Sequence, residues 1–130
     1  MINYVLDDVA LIAGLVGNIE HHRRELSRLL HDAIDGGPTL EIPALCLSTA
    51  ALARPAIADH VADLVAAAPT DAIAVAGLVR TDHLDALLAL CPGLGWPATH
   101  AAVRALIAGS PVLTAAPDRY TGTGVDILAM

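Results

Sequence analysis

Short apolar runs of strand length, alternating with stretches of helical periodicity, restrict the fold of this chain more than any other feature. Ile2 to Leu6 is a short, mostly continuous apolar run that stops at Asp7-Asp8. Leu40 to Ile42, Ile73 to Ala76, Val112 to Thr114 and Val125 to Leu128 read as further strands. A strand covered on both faces carries such a run, whereas a half-exposed strand alternates. Between these runs lie helices. Val9 to Val16 is ended by Gly17-Asn18. Glu20 to Asp35 is the clearest, with Leu26, Leu29, Leu30 and Ala33 on one face and Gly36-Gly37-Pro38 after it. On its other faces Glu20 can pair with Arg24, and Arg28 with Asp32, at i,i+4 spacing. Pro43 stands where a helix over Ala44 to Ala53 begins, since its missing N–H costs nothing there. Pro55 breaks that helix before another over Ala56 to Ala67. Thr81 caps a helix to about Leu90, and Ala98 to Ala108 is a helix ended by Gly109. Strands alternating with helices predict an α/β fold of three layers. A central, mainly parallel sheet of four to five strands would carry helices on both faces.

The 130 residues suit one domain, spanning 1–130. A chain of this size buries about 70% of the surface its unfolded form exposes, so neither metal nor disulfide is needed for folding. The core must be aliphatic, because there is no Phe and only Tyr4, Trp96 and Tyr120 are aromatic. Ala-rich faces should let helices approach closely. No apolar run approaches the ~20 residues of a spanning helix; the longest, Ala72 to Val79, is strand-sized. Asp7 and Asp8 interrupt the N-terminal apolar stretch and no basic region precedes it, unlike a signal peptide. These readings predict a cytoplasmic protein without a membrane segment. Cys46 and Cys91 read as buried, reduced thiols, with a disulfide as the alternative.

Fourteen acidic side chains face seven Arg and no Lys, a net charge of −7. Nucleic-acid affinity is largely electrostatic, so this balance argues against a DNA- or RNA-coating protein. It leaves open an enzyme that holds RNA through a local metal site. In parallel sheets the site lies beyond the carboxyl ends of the strands, at a switch in strand order. That directs attention to Asp7-Asp8 after the first strand and to Thr114 to Asp118 after the fourth. Acids after a first strand also occur in receiver domains and haloacid-dehalogenase-like hydrolases, but both rely on a Lys that this chain lacks. GxxxxGK[ST] is absent, and no GxGxxG follows a strand.

The chain resembles the PIN domain family, which includes the ribonuclease toxins of bacterial toxin–antitoxin pairs. Tyr4-Val5-Leu6-Asp7 is similar to the family's opening strand and first acid. Ile42-Pro43-Ala44-Leu45-Cys46-Leu47 is similar to the segment leading to its second acid. Gly109 to Thr114 (GSPVLT) resembles the strand ending in T-x-D, and Tyr120 to Ile127 (YTGTGVDI) resembles the tail of many members. The likeness spans nearly the whole chain through the order and spacing of these segments. It implies a PIN-like three-layer fold. In PIN nucleases three or four carboxylates hold Mg²⁺ or Mn²⁺, which activates water and offsets charge on the scissile phosphate.

Carried over position by position, most of that acidic site is missing. Asp7 fills the first acid position, and Val9 stands where Ser or Thr usually follows. Thr49 falls at the second acid, Ala98 near the third, and Ala116 replaces the Asp of T-x-D while Thr114 is kept. The candidates are therefore Asp7, Asp8, Thr114 and Asp118, with Asp7 and Asp8 as weak metal ligands. Asp7 reads as a surviving ligand or, favoured, as a cap of the next helix. Asp8 reads as a solvated second acid, and Asp118 as the turn residue of Pro117-Asp118 or as a replacement for the lost Asp. Asp82 and Asp85 lie at a helix start, where acids are ordinary. Thr114 would orient a metal-bound water or make a turn hydrogen bond. His21, His22, Arg23 and Arg24 read as a solvated helix face before a cationic patch. His100 reads as structural before general base, and Trp96 as packed over a helix end before partner anchor. The reading reached is an inactive PIN-like protein acting as a binding or assembly module, with no cofactor expected. The alternative is a divergent metal-dependent ribonuclease that uses Asp7, Asp8 and a relocated Asp118 or Asp82 with Mg²⁺ or Mn²⁺; RNA is a partner only in that case. The resemblance further implies a homodimer and an antitoxin or PIN-protein partner.

Overall fold

A computed structural model describes residues 3–78 and 81–130. Five strands form one sheet: β1 (Tyr4–Leu6), β2 (Leu40–Pro43), β3 (Ile73–Ala76), β4 (Val112–Thr114) and β5 (Ile127–Ala129). Their order is β3-β2-β1-β4-β5 and every pairing is parallel. Six helices connect them: α1 (Asp8–Leu15), α2 (Glu20–Ile34), α3 (Ala44–Ala53), α4 (Ala56–Ala67), α5 (Thr81–Leu90) and α6 (Trp96–Ala108). The expected three-layer α/β architecture is present, and the strand order reverses between β1 and β4.

The pleat divides the apolar residues between two cores. Leu6, Leu40, Ile42, Ile73 and Leu113 point to one face, where Leu11, Leu26, Leu30, Ile57 and Val61 of α1, α2 and α4 meet them. Val5 and Val112 point to the other, against Ala98, Ala101, Ala102 and Ala105 of α6. These four Ala side chains are buried, and their small size lets α6 lie close over β1, β2 and β4. Between Leu40 and Ile42, Glu41 points to the α6 face and pairs there with Arg104.

Several boundaries differ from the sequence reading. The first strand was expected from Ile2, which lies outside the described residues; Tyr4 to Leu6 pair as expected. Helix α1 begins at Asp8, because Asp7 caps it. Thr81, read as a cap, is already the first residue inside α5. Helix α6 starts two residues early, at Trp96, with Pro97 in its first turn. Strand β5 is displaced to Ile127–Ala129, and Pro117–Tyr120 forms a 3-10 turn not anticipated beyond a Pro-Asp turn. Cys46 is buried and Cys91 half-buried, and both are free thiols. Among the described residues, no helix is long and apolar enough to cross a membrane.

Two of the glycines that geometry requires bear on how α1 and α6 are set. Gly109 ends α6 in the left-handed region at φ 65°. Gly14 lies where α1 packs on α2: a methyl group there would overlap the Leu26 side chain, with Leu26 Cβ only 2.6 Å away. Both atoms belong to the core, so neither helix can yield cheaply. Gly14→Ala is therefore expected to lower unfolding free energy by about 1–3 kcal/mol despite the gain in helix propensity. Urea unfolding followed by circular dichroism checks this; an unchanged midpoint would mean that the α1–α2 contact is looser than described.

Candidate functional site

The strand order reverses between β1 and β4, and α/β sheets place their ligands beyond the carboxyl ends of the strands at such a point. Asp7 follows β1 there, with 0% exposure. Its backbone is extended, which lets its side chain turn back over α1 and accept the Ala10 N–H at 2.8 Å through Oδ1. This is the capping role favoured from the sequence.

The other carboxylate oxygen faces two groups from the turn after β4. The Tyr120 hydroxyl donates to Asp7 Oδ2 at 2.7 Å. Arg119 Nη1 lies 3.4 Å from the same oxygen and 2.8 Å from Asp8 Oδ1. One guanidinium nitrogen thus bridges both acids. Asp8, expected in solvent, is instead buried and ion-paired, because the Arg119 head sits over it. The turn is held in place by its own short bonds: the Ala116 N–H donates to Thr114 Oγ1 at 3.0 Å, and the Arg119 N–H donates to the Ala116 carbonyl. Thr114 therefore makes the turn bond read as one of its two roles.

Electrostatics follow the geometry. Burial pushes the Asp7 carboxyl above its usual 3.8, while Thr114, Tyr120, the Ala10 amide and Arg119 pull the other way. Burial opposes the Arg119 charge, but Asp8, Tyr120 and Asp7 together hold the guanidinium above its ordinary value. Burial raises the Tyr120 hydroxyl strongly, with the Asp7 charge adding to it, so it stays a donor. Cys46, whose thiol donates to the Pro97 carbonyl, is also pushed up by burial and by Asp8 and Asp7; it is inert as a nucleophile.

The positions expected to carry the remaining acids do not supply oxygen ligands. The Thr49 hydroxyl donates back to the Leu45 carbonyl of its own helix at 2.8 Å. Ala98 is sealed in the α6 core with Tyr120. Ala116 offers only a methyl group, and Asp118 is exposed on the 3-10 turn, whose inward residues are its neighbours Arg119 and Tyr120. Asp82 and Asp85 are exposed on α5. Among the described residues, no three His, Cys, Asp or Glu side chains gather as a metal-ligand group. A divalent ion needs several oxygens at ~2.0–2.6 Å. Here the two acids that come together already share a cation of the chain itself.

Arg119 and Tyr120 are the site residues that the sequence reading did not single out. The available signal was scarcity: Arg119 is one of seven cations, and it adjoins one of three aromatics, just beyond T-x-A.

The remaining candidates lie apart from the Asp7 network. His21 is exposed and His22 half-buried on α2, their rings tilted at 6.1 Å, while Arg24 pairs with Glu20 as expected. Trp96 is the first residue of α6 and is 48% exposed. His100 is buried, and its Nδ1 accepts the Leu45 N–H at 3.3 Å, tying α6 to the start of α3. That role needs the neutral ring. Burial holds the His100 pKa below 6.5, opposed by the Gly77 backbone; Arg104 lowers it further and Glu41 raises it.

Two outcomes follow. Asp7→Ala removes the α1 cap and strands the Tyr120 hydroxyl, so unfolding free energy should fall by about 3 kcal/mol. Asp118→Ala should change it by less than about 0.5 kcal/mol. Equal urea midpoints for the two variants would contradict the network. For His100, a lowered folded pKa means that the unfolded chain binds the extra proton first. Its stabilising contribution is complete above about pH 6.5 and is lost as pH falls through that value toward the folded pKa. Asp7, with a raised pKa, acts in the opposite sense. Comparison with His100→Asn isolates the histidine: the wild-type advantage should shrink between about pH 7.5 and 5.5. A pH-independent difference in urea midpoints would overturn the assignment.

No protein-family model and no curated protein matches the chain.

Proposed function

We propose that this chain is a PIN-like domain without nuclease activity that serves as a protein-binding or assembly module. The observation that carries the reading is the bridging of Asp7 and Asp8 by the Arg119 guanidinium, with the Tyr120 hydroxyl on the same carboxylate. These contacts use the oxygens that a nuclease would give to its metal. The proposal also rests on Thr49, Ala98 and Ala116 standing at the other acid positions of the resemblance.

A groove of about 850 Å³ supports the binding role. It runs between α1, α2 and α4, with Leu15, Leu30, Ile34 and Leu64 among its apolar lining residues. Arg23, His31 and His60 line it too, beside the Arg24–Glu20 ion pair; with one carboxylate against two guanidinium groups the lining is locally positive in a chain of net charge −7. Such a surface suits an amphipathic segment with acidic residues beside its apolar face, as an antitoxin-type peptide or a related subunit would present. Homodimerisation belongs to the same proposal.

Two experiments bear on it. Calorimetric titration with Mn²⁺ should give no saturable heat, and a mixed RNA substrate should remain intact with Mg²⁺ or Mn²⁺ present. Metal-dependent cleavage that disappears in Asp7→Asn would establish the divergent ribonuclease instead. Co-expression with the adjacent gene product should yield a complex on size exclusion. Arg23→Glu with His31→Glu should weaken it by roughly tenfold, chiefly through association rate. An unaffected complex would place the partner elsewhere.

A further inference from the structure

A second cavity lies beyond the carboxyl end of β3, and none of its lining residues belongs to the Asp7 network. It holds about 320 Å³, between the segment after β3 and the facing sides of α5 and α6. Leu84, Val103 and the ring of His100 are buried and form its floor. Leu78 and Ile107 stand at the mouth, with Ile107 56% exposed. Two exposed large aliphatic residues over a recessed apolar floor make a lined cavity, not a flat patch.

The polar side chains at this cavity are few: His83, His100 and Arg104. His100 is a wall and not a reagent, since Leu45 already occupies its Nδ1. Arg104 donates through Nε to Glu41. Its Nη1 and Nη2 have no other hydrogen bond or ion pair among the described residues, so the end of the guanidinium fork is open. His83 is exposed at the same cavity. A planar pair of N–H donors matches the two oxygens of a carboxylate. Small-molecule sites combine this kind of apolar lining with a few placed polar groups, and volumes begin near ~300 Å³. At ~30 Å³ per non-hydrogen atom, the packing of liquid water, the space takes about ten atoms. The net charge of −7 disfavours a polyanion such as a nucleotide.

We propose that this cavity binds a small monocarboxylate with an apolar body, its carboxylate on the Nη edge of Arg104 beside His83 and its hydrocarbon against Leu84, Val103 and Ile107. The site is independent of the inactive-nuclease reading: it uses none of the same residues and stands or falls separately.

Phenylacetate, with about ten non-hydrogen atoms, is the probe. Titration into ¹³C-methyl-labelled protein should give saturable shifts in the methyl groups of Leu78, Leu84, Val103 and Ile107, with a dissociation constant in the millimolar range or tighter. Phenylacetamide, the neutral isostere, should bind at least about tenfold more weakly. Arg104→Lys keeps the charge beside Glu41 but removes the fork, and should lose about tenfold for phenylacetate only. Ile107→Trp fills the exposed mouth without touching the core and should abolish the shifts while circular dichroism stays unchanged. Absence of saturation at tens of millimolar would overturn the proposal, as would equal binding of acid and amide. Shifts that follow protein concentration instead of phenylacetate would assign the cavity to a second copy of the chain, and would overturn it too.

Discussion

Everything at the centre of this fold depends on how one carboxylate is satisfied. Asp7 leaves β1 at the point where the strand order reverses, in a place closed to water. A buried carboxylate must find donors or take up a proton. Asp7 finds an amide from α1, a hydroxyl from Tyr120 and a cation from Arg119. The first fixes the start of α1. The other two fix the connection between β4 and β5, more than a hundred residues later in the chain. One side chain therefore joins the first strand, the first helix and the C-terminal turn.

The choice of cation matters as much as its presence. A guanidinium is planar, spreads its charge and is weakly hydrated, so it is easier to bring into a partly buried position than an ammonium or a hydrated metal ion. It also arrives on the chain and needs no entry path. Yet it brings one charge to two acids. Burial of Asp7 against a single shared cation leaves its carboxyl above the usual range, where four opposing contacts restrain but do not reverse the shift. A divalent ion with three or four carboxylates would solve the same problem by charge density. In this chain hydrogen bonds and a tyrosine solve it with less charge on either side.

The architecture was legible because local and global signals agree. Leu40–Ile42 and Ile73–Ala76 are short, strand-sized segments bounded by Pro or Gly and set between stretches of helical periodicity, which leaves little else for them to be. The N-cap role of Asp7 was legible for the same reason, since an acid directly before an apolar helix has a local use. Asp8 was misread because its partner is 111 residues away and no periodicity links them. Arg119 was missed on the same ground: a lone Arg in a Pro-Asp turn looks solvated until the turn is folded against β1. Trp96 was misplaced because a Gly/Pro loop hides the start of α6, which Pro97 permits instead of preventing. Contacts across the sheet are what single-sequence patterns do not contain.

The alanines of α6 close the carboxyl end of β1 by packing as well as by charge. Ala98 is fully buried and shares its core with Tyr120, Val5 and Val112, and Ala101, Ala102 and Ala105 continue the same seam. That seam sets how near α6 lies to the sheet, and it places the Glu41–Arg104 pair on one side and the Tyr120 ring on the other. A carboxylate introduced at Ala98 would enter a packed apolar contact next to a hydroxyl already committed to Asp7. It would have to displace Tyr120, and with it the turn that carries Arg119. The small side chain at 98, the aromatic at 120 and the cation at 119 are therefore mutually dependent. Each suits a strand end filled by the chain, and none can be exchanged alone for a group that would suit a metal.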